Sequence, residues 1–151
     1  MKSLQGFVIA VLLTTFSAGA GLADDHLKHL NSGKILPTNL PFSELVISGD
    51  MLFLSGQIGS LPGTLKLAEG GIEGESKQVM NNIKTSLETH GYTLSNLVKC
   101  TVILSDMEEW GAFNEIYDDY FEDGKFPARA TFAASGLVLG ARVEVDCIGA
   151  K

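Results

Sequence analysis

Two hydrophobic periods divide the chain. In "SELVISGDMLFLSGQIG" (43–59) two β-branched and large-apolar runs turn at Ser48-Gly49-Asp50, which predicts a hairpin. A Gly/Pro-rich loop (59–71) follows, with a short extended piece expected at 64–67. From Glu73 to His90, Val79, Ile83 and Leu87 recur every four positions, the stripe of an amphipathic helix, and Gly91 suits the residue after its end. "NLVKCTVILS" (96–105) predicts a strand. Asp106, with Glu109 three residues later, reads as an acidic capping box opening a second helix. That helix carries Trp110, Phe113, Tyr117, Tyr120 and Phe121 and ends near Gly124. An aromatic stripe at this spacing is far more often core than a cofactor site. "ARATFAAS" (128–135) and "ARVEVDCIGA" (141–150) predict two closing strands.

The order ββαβαββ, without internal repeats, predicts one α+β domain over 41–151. Two helices on one side of a sheet leave its other face uncovered. Apolar residues on such a face imply association with other subunits.

The ends and the charge narrow the setting. Lys2, the apolar run 6–16 and the small residues 17–23 follow the order of a secretory signal, predicted as 1–23 with cleavage after Ala23. Ala18 and Ala20 offer a second cleavage site, and an uncleaved anchor or buried N-terminal helix is the alternative. A periplasmic or secreted location is therefore expected, with no membrane attachment after cleavage. Residues 24–40 read as a polar, prolyl lead-in. Eleven Lys and Arg against 18 Asp and Glu give a net charge of −7, with no basic cluster, which disfavours nucleic acid as a partner. A small anionic ligand stays open, because one arginine can dominate a pocket. No clustered metal ligands and no cofactor motif appear, so neither metal nor cofactor is expected in the domain. Cleavage after Ala23 would expose Asp24-Asp25-His26, a minor candidate for a square-planar Cu(II) or Ni(II) site. Cys100 and Cys147 are either a disulfide or two buried thiols.

Strand alternation adds a candidate site. If Ala130, Phe132 and Ala134 meet the helices together with Val143, Val145 and Cys147, then Arg129, Glu144 and Asp146 share the opposite face. A structural Arg129–Glu144 salt bridge and a carboxylate clamp with Glu144 handling water or a proton both fit. Periodicity does not choose between them.

Four segments decide further: "PFSELVISGDMLFLSGQIG" (41–59), "GGIEGESKQVMNNIKTSLETHGYTLSNLVKCTVILSDMEEWGAFNEIYDDYF" (70–121), "FPARAT" (126–131) and "VEVDCIGA" (143–150). Together they resemble the Rid family, the RidA/YjgF-like reactive intermediate deaminases formerly called L-PSP endoribonuclease-like. The resemblance implies a chorismate-mutase-like α+β fold, a mixed sheet with two helices on one face, assembled as a homotrimer with active sites between subunits. It implies hydrolysis of 2-imino acids to 2-keto acids and ammonia without a cofactor. On this resemblance Arg129 binds the substrate carboxylate, Glu144 orients water, and Ser55, Gly56, Asn114, Phe42 and Thr131 line the substrate site.

Two positions depart from the pattern. Phe42 stands where many members have tyrosine and lacks its hydroxyl; Thr131 stands where several have cysteine. A backbone carbonyl there approaches the imine nitrogen in those members, so the threonine side chain is expected to be tolerated. The resemblance also implies that the strands of Cys100 and Cys147 lie side by side, which makes their disulfide geometrically conceivable. A metabolite-binding or chaperone-like trimer is the alternative function, and an endoribonuclease fits the acidic charge worse.

Overall fold

The computed structural model describes residues 27–122 and 124–151. The expected signal (1–23) and Asp24-Asp25-His26 lie outside them. The hairpin forms as read: β2 (Leu45–Ser48) turns at Gly49, whose φ is 58°, into β3 (Met51–Ile58). A residue at that φ is strained unless it is glycine, so the turn is fixed by sequence. Helix α1 (Gly71–Thr89) buries Val79, Ile83 and Leu87, and Gly91 follows its end at φ 83°. Strand β4 (Leu97–Leu104), helix α2 (Trp110–Asp118), β5 (Ala128–Ala133) and β6 (Val143–Ala150) complete the predicted order.

One element was not anticipated. Leu27–Leu30, inside the polar lead-in, forms edge strand β1, antiparallel to β2. Three of its four residues are exposed, so no hydrophobic alternation announces it; pairing with β2 defines it. Residues 64–67 do not form a strand, only an isolated bridge between Ser60 and Leu67.

The sheet order is β1-β2-β3-β6-β4-β5. The last strand inserts between β3 and β4, antiparallel to both, while β4 and β5 run parallel across the α2 crossover. Both helices pack on one face. There Leu45, Leu52, Leu54, Val102, Leu104, Val143 and Val145 meet Val79, Met80, Ile83, Leu87 and Phe113 in one core. Burying a side chain of this size contributes roughly 1.5–3 kcal/mol.

The other face stays open and apolar, as expected. Met51, Phe53 (42% exposed) and Phe132 (49% exposed) project there, with Ile103 and Ile148 between them.

The capping expectation holds in part. Asp106 accepts from the Glu108 amide at 2.9 Å, capping a short 3-10 turn that leads into α2. Glu109 does not close a box with Asp106; its carboxylate pairs with Arg142 instead. Nor is the aromatic stripe all core. Phe113 and Tyr117 are buried, whereas Trp110 is exposed and the Tyr120 hydroxyl donates to the Lys77 carbonyl at 3.0 Å.

Cys100 and Cys147 stand directly opposite on β4 and β6, Cα atoms 4.1 Å apart, and are joined as a disulfide. The close pairs of an antiparallel ladder bring Cα atoms to about this separation. Both residues are fully buried on the helix side of the sheet. Among the described residues, no helix is long and apolar enough to cross a membrane.

Candidate active site

The predicted site residues fall into two groups, and one chain does not bring them together. The first group surrounds Glu144 in the middle of the sheet. Val143 and Val145 are fully buried against the helices, so Glu144 between them faces the open side. Its neighbours across the ladders are Ile58 on β3 and Ile103 on β4. Burial among these groups pushes the Glu144 carboxyl above its ordinary value of 4.5, and the Asp146 charge pushes the same way. A carboxylate raised in this way accepts a proton more readily than an ordinary one.

A bulge in β3 makes room for it. Leu54 pairs with Cys147 and Gln57 with Val145, so Ser55 and Gly56 together oppose Asp146. A Cβ on Gly56 would fall on the Glu144 carboxylate, which explains why glycine stands there. Ser55 is anchored from below: its hydroxyl donates to the Ser43 carbonyl at 2.6 Å, and its amide donates to the Glu44 carbonyl at 3.1 Å. The Ser55 oxygen keeps acceptor capacity. Phe42, one residue before Ser43, is about half exposed (47%) beside this group.

The second group lies at the sheet edge, on the helix side. Arg129 pairs in register with Cys100, and Thr131 with Val102, both residues of the helix-facing set. The Arg129 guanidinium donates from Nη2 to Asn114 Oδ1 at 2.6 Å. It also lies over the Tyr117 ring, 4.8 Å from its centroid, and 5.8 Å from that of Phe113. A cavity of about 420 Å³ opens here, lined by Asn114, Tyr117, Asp118, Phe126, Pro127 and Arg129.

The expectation that Arg129 shares a face with Glu144 and Asp146 is therefore wrong. Alternation predicts Ala130 and Phe132 against the helices, yet both are exposed and Phe132 belongs to the open face. The reason is the strand's position. At the edge beyond β4, the helix side is covered by the aromatic residues of α2, which accept a guanidinium and its stem through cation–π contact. Within one chain the Arg129–Glu144 salt bridge is excluded by the same geometry.

Tyr117, Phe126 and Pro127 were not anticipated as cavity walls. Tyr117 was readable only as core, although it stands one helical turn after Asn114 and so shares its face. Among the described residues, no group of three His, Cys, Asp or Glu side chains is placed to hold a metal ion.

The profile of the family described as Endoribonuclease L-PSP matches residues 34–151. The 2-iminobutanoate/2-iminopropanoate deaminase of Mus musculus is 39% identical over 111 residues, 74% of this chain and 82% of the mouse protein. A putative endoribonuclease L-PSP from Entamoeba histolytica superposes with a TM-score of 0.77 at 40% identity, over 83% of this chain and 99% of that one. A protein of unknown function of the Rid family from Yersinia pestis gives 0.78 at 33% identity, with coverage of 83% and 99%.

Proposed function

The chain belongs to the L-PSP endoribonuclease or Rid family, whose members include deaminases of 2-imino acids, and we propose that it hydrolyses such imines to 2-keto acids and ammonia. The observation that carries this reading is the split site: a carboxylate with a raised pKa on the open sheet face, and an aromatic-backed guanidinium at the sheet edge. Neither half suffices alone. Arg129, whose cavity Asp118 also lines, can grip a carboxylate, and Glu144 can hold a water, but the two lie on opposite faces of the sheet within one chain.

A second copy of the chain completes the site in this proposal. The open face exposes Met51, Phe53 and Phe132, an apolar surface that a homotrimer would bury. Closing it would set the Glu144 group of one subunit against the Arg129 group of the next.

The chemistry then needs few parts. Arg129 binds the substrate carboxylate through its planar fork and so fixes the imine carbon. Glu144 takes a proton from water as its oxygen attacks that carbon, and the imine nitrogen gains a proton, giving a carbinolamine. The carbinolamine hydroxyl then gives up its proton as its oxygen forms the keto group and the C–N bond breaks, and that proton passes to the leaving nitrogen, releasing ammonia. Asn114 holds the guanidinium, Gly56 leaves room for the Glu144 carboxylate, and the Thr131 carbonyl is assigned to the imine nitrogen. Ser55 and Phe42 border the Glu144 side, and the missing Phe42 hydroxyl bears on substrate preference. The N-terminal signal pattern places this activity, in the same proposal, in an exported chain.

The test is a coupled assay on freshly generated 2-iminopropanoate and 2-iminobutanoate, comparing the native protein with Arg129→Ala. The native protein is expected to accelerate hydrolysis, and the variant to lose at least about a hundredfold while keeping its oligomeric state. Wild-type turnover by Arg129→Ala would overturn the site. Tight 2-keto acid binding without turnover would make the protein a metabolite binder.

A further inference from the structure

We propose that Tyr117 is the positioning residue for Arg129, an aromatic platform that fixes the plane of the guanidinium so that its fork meets a ligand carboxylate in one orientation. This inference rests on the functional reading above and adds to it a residue that acts by orienting Arg129.

A guanidinium at a sheet edge has a long, flexible stem, and one hydrogen bond does not set its plane. Asn114 Oδ1 engages Nη2 at 2.6 Å, which uses one of its five N–H donors. Rotation about that bond is left open. The Tyr117 ring removes this freedom, because the guanidinium carbon stands 4.8 Å from its centroid. Both supports come from one turn of α2, so the helix presents acceptor and platform as a unit.

The platform is itself packed among other rings. Tyr117 is 3% exposed and sits between Phe113, 5.5 Å away by ring centroids, and Phe121, 4.8 Å away. Phe121 in turn contacts Phe126 at 5.8 Å, and Phe126 lines the Arg129 cavity. The row of rings thus ends at the site rather than in the core. Burial pushes the phenol to about 12, with the Arg129 charge opposing in part, so the ring stays neutral wherever the protein works. The phenol oxygen has no hydrogen-bond partner among the described residues. The ring, rather than the hydroxyl, therefore carries the role.

The experiment separates the two parts of the side chain. Tyr117→Phe removes only the hydroxyl and is the parent against which the ring series is read. Phenylalanines of increasing ring fluorination at the same position keep shape and burial but drain the ring face of negative charge. They should raise KM progressively, to roughly fivefold or more, with kcat nearly unchanged. A flat KM across the fluorinated series, or a full loss already in Tyr117→Phe, would overturn the platform.

A second measurement does not depend on turnover. In the NMR spectrum the Arg129 side-chain N–H signals should be shifted by the Tyr117 ring current, and the shift should vanish in Tyr117→Leu. An unshifted Arg129 in the native protein would sink the proposal by itself. Failure of imine hydrolysis with the ring-current shift intact would instead count against the functional reading alone.

Discussion

Removing the Cys100–Cys147 bond tests the most specific structural feature of the fold. The disulfide joins residues 47 apart in sequence and closes a loop that holds the end of β4, α2, β5 and the start of β6. In the chain-entropy account, opening a loop of that length returns about 4 kcal/mol of conformational freedom to the unfolded chain at 25 °C. Both cysteines are fully buried between sheet and helices, so Cys100→Ala/Cys147→Ala also leaves small voids that add to the loss. Urea unfolding at fixed protein concentration, followed by circular dichroism, should show the midpoint of the double variant lower by roughly 1.3–4 M, for m-values of about 1–3 kcal/mol/M. Fixed concentration matters because an oligomer's apparent stability changes with it. Thiol titration of the denatured, unreduced native protein should find no reactive thiol. Two titratable thiols, or coincident urea curves for native and variant protein, would refute the cross-link and the stability reasoning built on it.

Two further outcomes follow from the Glu144 group. Gly56→Ala should fold, because the displaced partner is the end of a flexible side chain, yet turnover should fall by about a hundredfold as the carboxylate is pushed from its position; unchanged turnover would separate Gly56 from the chemistry. The pH profile of kcat/KM should lose activity on the acid side at a pH above the ordinary carboxylate value of 4.5. The reason is that Glu144 acts ionised while burial raises its pKa, so activity is present above the raised value and lost as pH falls through it. An acid limb that persists in Glu144→Gln would assign that limb to another group.

Most of the secondary structure was legible because each element carries its own local signal. The four-residue apolar spacing of α1, the β-branched runs of β2, β3 and β4, and the glycines at positive φ after β2 and α1 all act within a few residues. Strand β1 was not legible, since its pattern is exposed and only its pairing with Val46 and its neighbours defines it. The motifs supplied the candidate site residues, but their arrangement was not legible.

By itself the sequence determined the order of elements from β2 onward, the apolar face of each helix, the open face of the sheet and the residue types available for chemistry. The direction of Arg129 was left to tertiary structure. A strand of alanines around one arginine and one phenylalanine has no dominant amphipathic signal, so packing against α2 decides which side turns inward. Strand order decided that Glu144 lies mid-sheet and Arg129 at the edge, because β6 closes the gap left between β3 and β4. Tertiary packing also converted Tyr117 from one member of a helical stripe into the surface beneath a guanidinium, since the same ring serves core or cation according to what the fold lays across it.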